Sequence, residues 1–235
     1  MQQIQADIKE ISSLSSYVFR VLLKPIRPID FEAGQYLQIV MGEEDKRPFS
    51  IASPPEQQNE IELHIGASPD NPYAYEVITK VREERNLQLE VGIGDAFLRD
   101  NERHAVLIAG GTGYSYTRSI LLHALKNQPK RKITLYWGAK NAEDLYENEE
   151  LLLLDEGHPH FTYVPVVENA SSKNLQGWNG RTGLVHQAVL GDIDNFNDVE
   201  VYVAGRFVMA SVIRDEFTAK GLPRDQLYGD AFAFI

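Results

Sequence analysis

The sequence predicts two domains: an antiparallel Greek-key β-barrel over residues 1–102, and an α/β domain with a parallel sheet over residues 103–235. Three observations carry this. The first hundred residues hold short, alternating, β-rich segments separated by proline and glycine. After Asp100-Asn-Glu-Arg103 the apolar segments become continuous and alternate with helix-like stretches. A composition of 43% hydrophobic and 24% charged residues is that of a chain that buries a core.

In chain order, Tyr17-Val-Phe-Arg-Val-Leu-Leu23, Tyr36-Leu-Gln-Ile-Val40, Ile61-Glu-Leu-His-Ile65 and Leu87-Gln-Leu-Glu-Val91 read as strands. Pro25, Pro28, Gly34, Pro54-Pro55, Gly66 and Gly92 punctuate them. A helix is expected from Asn71 to Arg85, with Pro72 suited to its first turn. In the second half, Ala105-Val-Leu-Ile-Ala109 has the unbroken apolar character of a strand buried on both faces. A helix from Tyr114 to Asn127 and a strand at Ile133-Thr-Leu-Tyr-Trp137 follow. Further helix and strand signals run through Phe161-Thr-Tyr-Val-Pro-Val-Val167, Leu184-Val-His-Gln-Ala-Val189 and Val199-Glu-Val-Tyr-Val-Ala204. Residues 169–183, rich in Ser, Asn and Gly, are expected to form a long surface loop.

Charge and composition narrow the partners. A net charge of −11 repels phosphate backbones and anionic headgroups, so neither nucleic acid nor a membrane surface is expected as a partner. The absence of cysteine removes disulfides, thiolate nucleophiles and thiolate-held clusters. The first residues lack the basic and apolar stretches of a secretory signal, and no apolar run approaches the ~20 residues that span a bilayer. The expectation is a soluble cytoplasmic protein. No metal site is expected: His158 and His160, the nearest approach to a ligand pair, flank Pro159 in a loop.

Three segments can carry chemistry. Ala109-Gly-Gly-Thr-Gly-Tyr-Ser115 joins a buried strand to a helix, where glycines allow close backbone approach and the helix N-terminus favours a pyrophosphate. It departs from the G-x-G-x-x-G spacing, and a tight turn without a ligand uses the same residues. Its place after the first parallel strand favours a Rossmann-like nucleotide-binding site. Arg47-Pro-Phe-Ser-Ile-Ala-Ser53 offers a cation, an aromatic and hydroxyls to a flat ring with polar edges, although a strand with a structural arginine reads the same way. Tyr202-Val-Ala-Gly-Arg-Phe-Val-Met209 ends a late strand, which brings Gly205 towards Gly111; Met209 is expected in the core.

Together with Ala33-Gly-Gln-Tyr36, Glu62-Leu-His-Ile-Gly-Ala67, Leu135-Tyr-Trp-Gly138, Gly180-Arg-Thr-Gly183 and the terminal Gly229-Asp-Ala-Phe-Ala-Phe-Ile235, these segments resemble the ferredoxin–NADP reductase superfamily. More closely, they resemble its bacterial NAD(P)H:flavin oxidoreductases, including those that supply luciferase. The resemblance implies catalytic roles for Ser50, hydrogen-bonded to flavin N5, and for Thr112, close to the nicotinamide. It implies a flavin site of Arg47, Pro48, Phe49, Ser50, Ile51, Ala52 and Ser53, with His64 and with Phe232 or Phe234 covering the rings. It implies a nicotinamide site of Gly110, Gly111, Thr112, Gly113, Tyr114, Gly205, Arg206 and Phe207. Superfamily members that hold flavin tightly carry Arg-x-Tyr-Ser and a Gly-x-x-Ser helix start. Phe49 and Asn71-Pro-Tyr-Ala74 stand in those places, so the flavin is expected to exchange as a substrate. Val91-Gly-Ile-Gly-Asp95 replaces a Pro-His-Gly stretch found in closer relatives.

The implied activity is hydride transfer from NADPH or NADH to riboflavin, FMN or FAD, with the reduced flavin passing to a flavin-dependent monooxygenase or a luciferase. Such chemistry needs stacked rings at roughly 3–3.5 Å rather than a catalytic triad. Lys140, after the second parallel strand, suits an NADPH 2′-phosphate as well as it suits plain solvent. The alternatives are an electron-transfer or ferric reductase with resident flavin, and a non-catalytic module that binds nucleotide or flavin.

Overall fold

The structure of the chain, a computed structural model, describes residues 2–68, 71–168 and 178–235. The first half is one antiparallel sheet of β1 (Gln2–Ser13), β2 (Val18–Pro25), β3 (Tyr36–Val40), β4 (Lys46–Ser50), β5 (Ile61–Gly66) and β6 (Asn86–Ile93), in the order β4-β3-β6-β1-β2-β5. The predicted barrel is open: β4 and β5 are the sheet's two edges. They meet just past β4, where the Ala52 N–H donates to the Glu62 carbonyl at 2.8 Å. Pro48 within β4 has no N–H to donate, and Pro54-Pro55 follow so closely that no ladder extends from this edge.

Two strands in this half carry no clean sequence signal. β1 is polar and changes register against β2 between Ile8 and Glu10, a bulge that breaks its alternation. β4 is five residues long and includes Pro48. The helix α1 (Pro72–Glu83) buries Ala74, Val77, Ile78 and Val81, an i, i+3, i+4, i+7 stripe. That stripe packs on the inner face of the sheet with Val21, Leu23, Leu37, Ile39 and Leu63.

The second half is a parallel sheet of β7 (His104–Gly110), β8 (Ile133–Ala139), β9 (Phe161–Val167), β10 (Arg181–Thr182), β11 (Val199–Ala204) and β12 (Leu227–Tyr228). Its order is β10-β9-β8-β7-β11-β12, so the chain turns outward in both directions from β7. The loop expected over residues 169–183 lies outside the described residues as far as Gly177; its described end forms β10.

Alternating side chains of the buried strands feed two cores. Ala105, Leu107 and Ala109 face α2 (Tyr114–Asn127) and α3 (Asn148–Gly157). Val106 and Ile108 face α4 (Val185–Asp192) and α5 (Phe207–Ala219).

The helix α2 also carries the first sheet. Ala33, Ala96 and Leu98 join its core beside Tyr116 and Ile120. Tyr116 donates its hydroxyl to the Ala96 carbonyl at 2.6 Å, and Ser119 donates to the Ser53 carbonyl at 2.8 Å. Among the described residues no helix is long and apolar enough to cross a membrane.

Candidate active site

At the C-terminal ends of β7 and β11, where the parallel sheet changes direction, a cleft of about 1050 Å³ opens against the first sheet. Ser50 lines it from the end of β4. Gly110, Gly111, Thr112 and Gly113 line it from the turn after β7, and Gly205, Arg206 and Phe207 from the turn after β11. Lys140 and Phe234 complete the predicted residues that face it. Segments more than fifty positions apart in the chain thus line one opening.

The glycines are required by approach as much as by conformation. Gly111 has φ +54°, a left-handed value that side chains rarely adopt. Gly113 has an ordinary helical φ of −57°, but a Cβ there would lie 2.2 Å from the Ala204 carbonyl oxygen. Gly110 and Gly205 leave room for Met209, whose sulfur would stand 2.8 Å from a Cβ at Gly110. Met209 lines the cleft and also packs on the α4–α5 core, where the sequence expectation puts it. Thr112 bridges the halves, its methyl pressed so close to Gly66 that a Cβ there would come within 2.9 Å.

The cleft offers the groups that a dinucleotide needs. The helices α2 and α5 begin at it with no side chain capping their first N–H groups. Lys140 and Arg206 are exposed, and neither forms an ion pair with a described residue. The Ser50 and Thr112 hydroxyls likewise make no hydrogen bond to a described residue. Phe207 and Phe234, 57% and 77% exposed, stand at the mouth with ring centres 6.1 Å apart.

Other predicted site residues lie elsewhere. Arg47 is tied to Asp45 and Glu76 outside the cleft, and Phe49 packs on the core of the first sheet. Pro48 is exposed and does not line the cleft. Ile51, Ala52 and Ser53 are fully buried, and the Ser53 hydroxyl accepts the Glu62 N–H at 3.1 Å. Phe232 packs on the α4–α5 core, leaving Phe234 as the aromatic on the cleft.

The side chain of Tyr114, expected at the nicotinamide, is buried on the far side of the turn. It stacks on Trp137 at 3.9 Å and donates to Glu147 at 2.8 Å. His64, expected at the flavin, is buried in the same region. Its Nε2 donates to Glu62 at 2.9 Å, and its Nδ1 lies 3.1 Å from the Tyr146 hydroxyl.

These two residues belong to a seam that sequence reasoning did not find. Arg118 of α2 donates to Glu147 at 2.9 Å and to the Ala52 carbonyl at 3.0 Å, and it lies 3.6 Å from Glu62. Burial pushes the Glu62 carboxyl up, but the His64 hydrogen bond and the charges of Arg118 and Arg20 prevail and bring it down to about 2.

Asp230 is the second residue missed. It lines the cleft from the Gly229-Asp-Ala-Phe turn, and burial, aided by the nearby Asp95 charge, pushes its carboxyl up to about 6. A Cβ at Gly94 would lie 3.0 Å from both Asp230 Oδ1 and the Tyr36 ring, which places this carboxyl beside the residue paired with Ser50. A raised folded-state value stabilises the fold fully below the usual carboxylate range and is lost as pH rises through about 6. Asp230→Asn is therefore expected to melt progressively above wild type as the buffer moves from pH 4 to pH 7. Parallel melting curves across that range would rule out a carboxyl raised to about 6.

The chain matches the oxidoreductase NAD-binding domain family over residues 107–215. It is 46% identical to an NAD(P)H-flavin reductase of Aliivibrio fischeri and 42% identical to one of Vibrio harveyi, each over 99% of both chains. Among solved structures it is similar to the Amycolatopsis cytochrome P450 reductase GcoB. That similarity has a TM-score of 0.83 at 26% identity, over 97% of this chain and 68% of the other.

Proposed function

This chain belongs to the NAD(P)H-flavin reductase family, and from that premise we infer that its cleft brings a nicotinamide nucleotide and an exchangeable flavin together for hydride transfer. The observation that carries this reading is the meeting of Ser50, from the first sheet, with the glycine turn of the second across one opening. The bound nicotinamide supplies the hydride and the flavin ring accepts it.

The chain positions and desolvates. The Gly110–Gly113 turn, whose N–H groups lie at the positive end of α2, holds the pyrophosphate. Arg206 and the start of α5 add positive potential, and Lys140 meets a 2′-phosphate when NADPH is the donor. Thr112, fixed against Gly66, orients the nicotinamide towards Ser50. The Ser50 hydroxyl donates to the flavin-ring nitrogen that receives the hydride, and Phe207 and Phe234 shield the rings from water.

The flavin leaves after reduction, because among the described residues no cation of the first sheet faces the cleft to retain a phosphorylated tail. The reduced product then serves a second enzyme, a flavin-dependent monooxygenase or a luciferase. The division of labour assigns flavin binding to residues 1–102 and nucleotide binding to residues 103–235.

Oxidation of NADPH and NADH by desalted protein tests this reading. Turnover is expected only when riboflavin or FMN is added. A yellow protein that oxidises the nucleotide unaided would instead mean a resident flavin and electron transfer to a partner. No oxidation with any flavin would leave a binding module.

A further inference from the structure

Arg47 lies three residues before Ser50 on β4, about 10 Å along an extended strand. That distance is comparable to the reach of a flavin's polyol chain with its terminal group. The guanidinium, however, has acceptors for four of its five hydrogens. Its Nε donates to the two Asp45 oxygens at 3.0 and 3.2 Å. Its Nη2 donates to Asp45 and to Glu76 at 2.7 Å each, and its Nη1 donates to the Tyr73 carbonyl. The Tyr73 ring lies 4.7 Å from the guanidinium carbon.

The arginine side chain is 10% exposed, whereas Asp45 and Glu76 are 46% and 59% exposed. This corner therefore shows solvent two carboxylates and almost none of the cation, for a local charge of −1. Lys46, the other cation of β4, is bound to Glu90 at 2.7 Å. Among the described residues, the basic side chains that line the cleft, Lys140, His186 and Arg206, come from the second half.

We propose that Asp45 and Glu76 set the flavin preference by occupying Arg47, so that a flavin with an uncharged polyol tail is favoured over one ending in phosphate. The proposal rests on the reading of Ser50 as the ring site. A phosphomonoester carries nearly two negative charges at neutral pH. Brought to this corner, it meets two carboxylates and a guanidinium with a single Nη1 hydrogen left to donate, too few for a bidentate contact. Removing the carboxylate charges frees the same guanidinium for a bidentate phosphate contact. The two acids thus act as the selective element, and the arginine is the latent phosphate site that they mask.

The test measures kcat/KM for riboflavin and for FMN, at saturating NADH, in the wild type and in D45N/E76Q. Both positions are substantially exposed and lie outside the Ser50 and glycine-turn machinery. The wild type is expected to favour riboflavin. In D45N/E76Q the FMN-to-riboflavin ratio is expected to rise at least tenfold, to fall back at high salt, and to return to the wild-type value when R47M is added.

A wild type that favours FMN overturns the proposal, as does a ratio unchanged within twofold in the double variant. No turnover with either flavin in the wild type overturns the flavin-reductase reading itself. If the double variant melts well below wild type, E76Q alone is expected to shift the ratio in the same direction by a smaller factor, and no shift in that folded variant again overturns the proposal.

Discussion

Replacing Ser50 with alanine is expected to lower flavin-dependent turnover by roughly 5- to 150-fold while leaving the fold intact. The estimate follows from the loss of one hydrogen bond at the reacting ring, worth about 1–3 kcal/mol in a desolvated site, at 1.36 kcal/mol per tenfold in rate. The Ser50 hydroxyl makes no hydrogen bond to a described residue, so its removal orphans no described partner, and its position at the end of β4 is half-buried rather than core. Steady-state rates against flavin concentration check this. A fall in kcat with an unchanged melting temperature marks a group that acts on the reacting ring. A rise in KM alone would mean that Ser50 only binds.

The second large effect is expected from Gly113→Ala, and it falls on stability and nucleotide binding together. The added methyl would lie 2.2 Å from the Ala204 carbonyl oxygen and 3.1 Å from the Gly205 nitrogen, and backbone atoms at the end of a central strand cannot swing aside. Overpacking of this kind costs up to about 3 kcal/mol. For a chain of this size that corresponds to a melting temperature lower by roughly 6–12 °C. The displaced turn also draws the α2 N-terminus away from the cleft, so KM for the nicotinamide nucleotide should rise. Gly111→Ala provides the contrast: its Cβ meets nothing within 4 Å, and only the φ of +54° opposes it, at about 1–2 kcal/mol. Equal melting of the two variants would show that close approach to β11 is not what fixes Gly113.

What the sequence reveals depends on whether the determining interactions are local. The strand β7 is readable because burial on both faces demands an unbroken apolar run, and β8, β9 and β11 because a single polar residue each, Thr134, Thr162 and Glu200, interrupts an otherwise apolar one. The bulged β1 and the short, proline-containing β4 lack any such demand. The glycine turn is readable because it is a local solution to a local problem, a close approach, whereas Ser50 is singled out by the resemblance of its segment to a known family.

The seam is not readable, since its pairs join positions far apart: Arg20 with Glu62 across 42 residues, and His64 with Tyr146 across 82. The same limit explains Tyr114, whose place after the glycines points to the cleft but whose ring turns inward to Trp137. Asp230 sits within a terminal motif in which the aromatic residues draw attention, and its significance lies in burial and in Asp95, neither of which a spacing shows.

The seam of Glu62, His64, Arg118, Tyr146 and Glu147 has a consequence for how each catalytic cycle begins. These groups tie α2 and the residues before α3 to the first sheet, so the spacing between Ser50 and the glycine turn is set by the fold itself. The entropy of aligning donor with acceptor is largely lost once, when the protein folds, and each successive pair of molecules meets a gap already set. An enzyme whose two ligands both come and go thereby keeps one fixed dimension while everything that occupies it is exchanged.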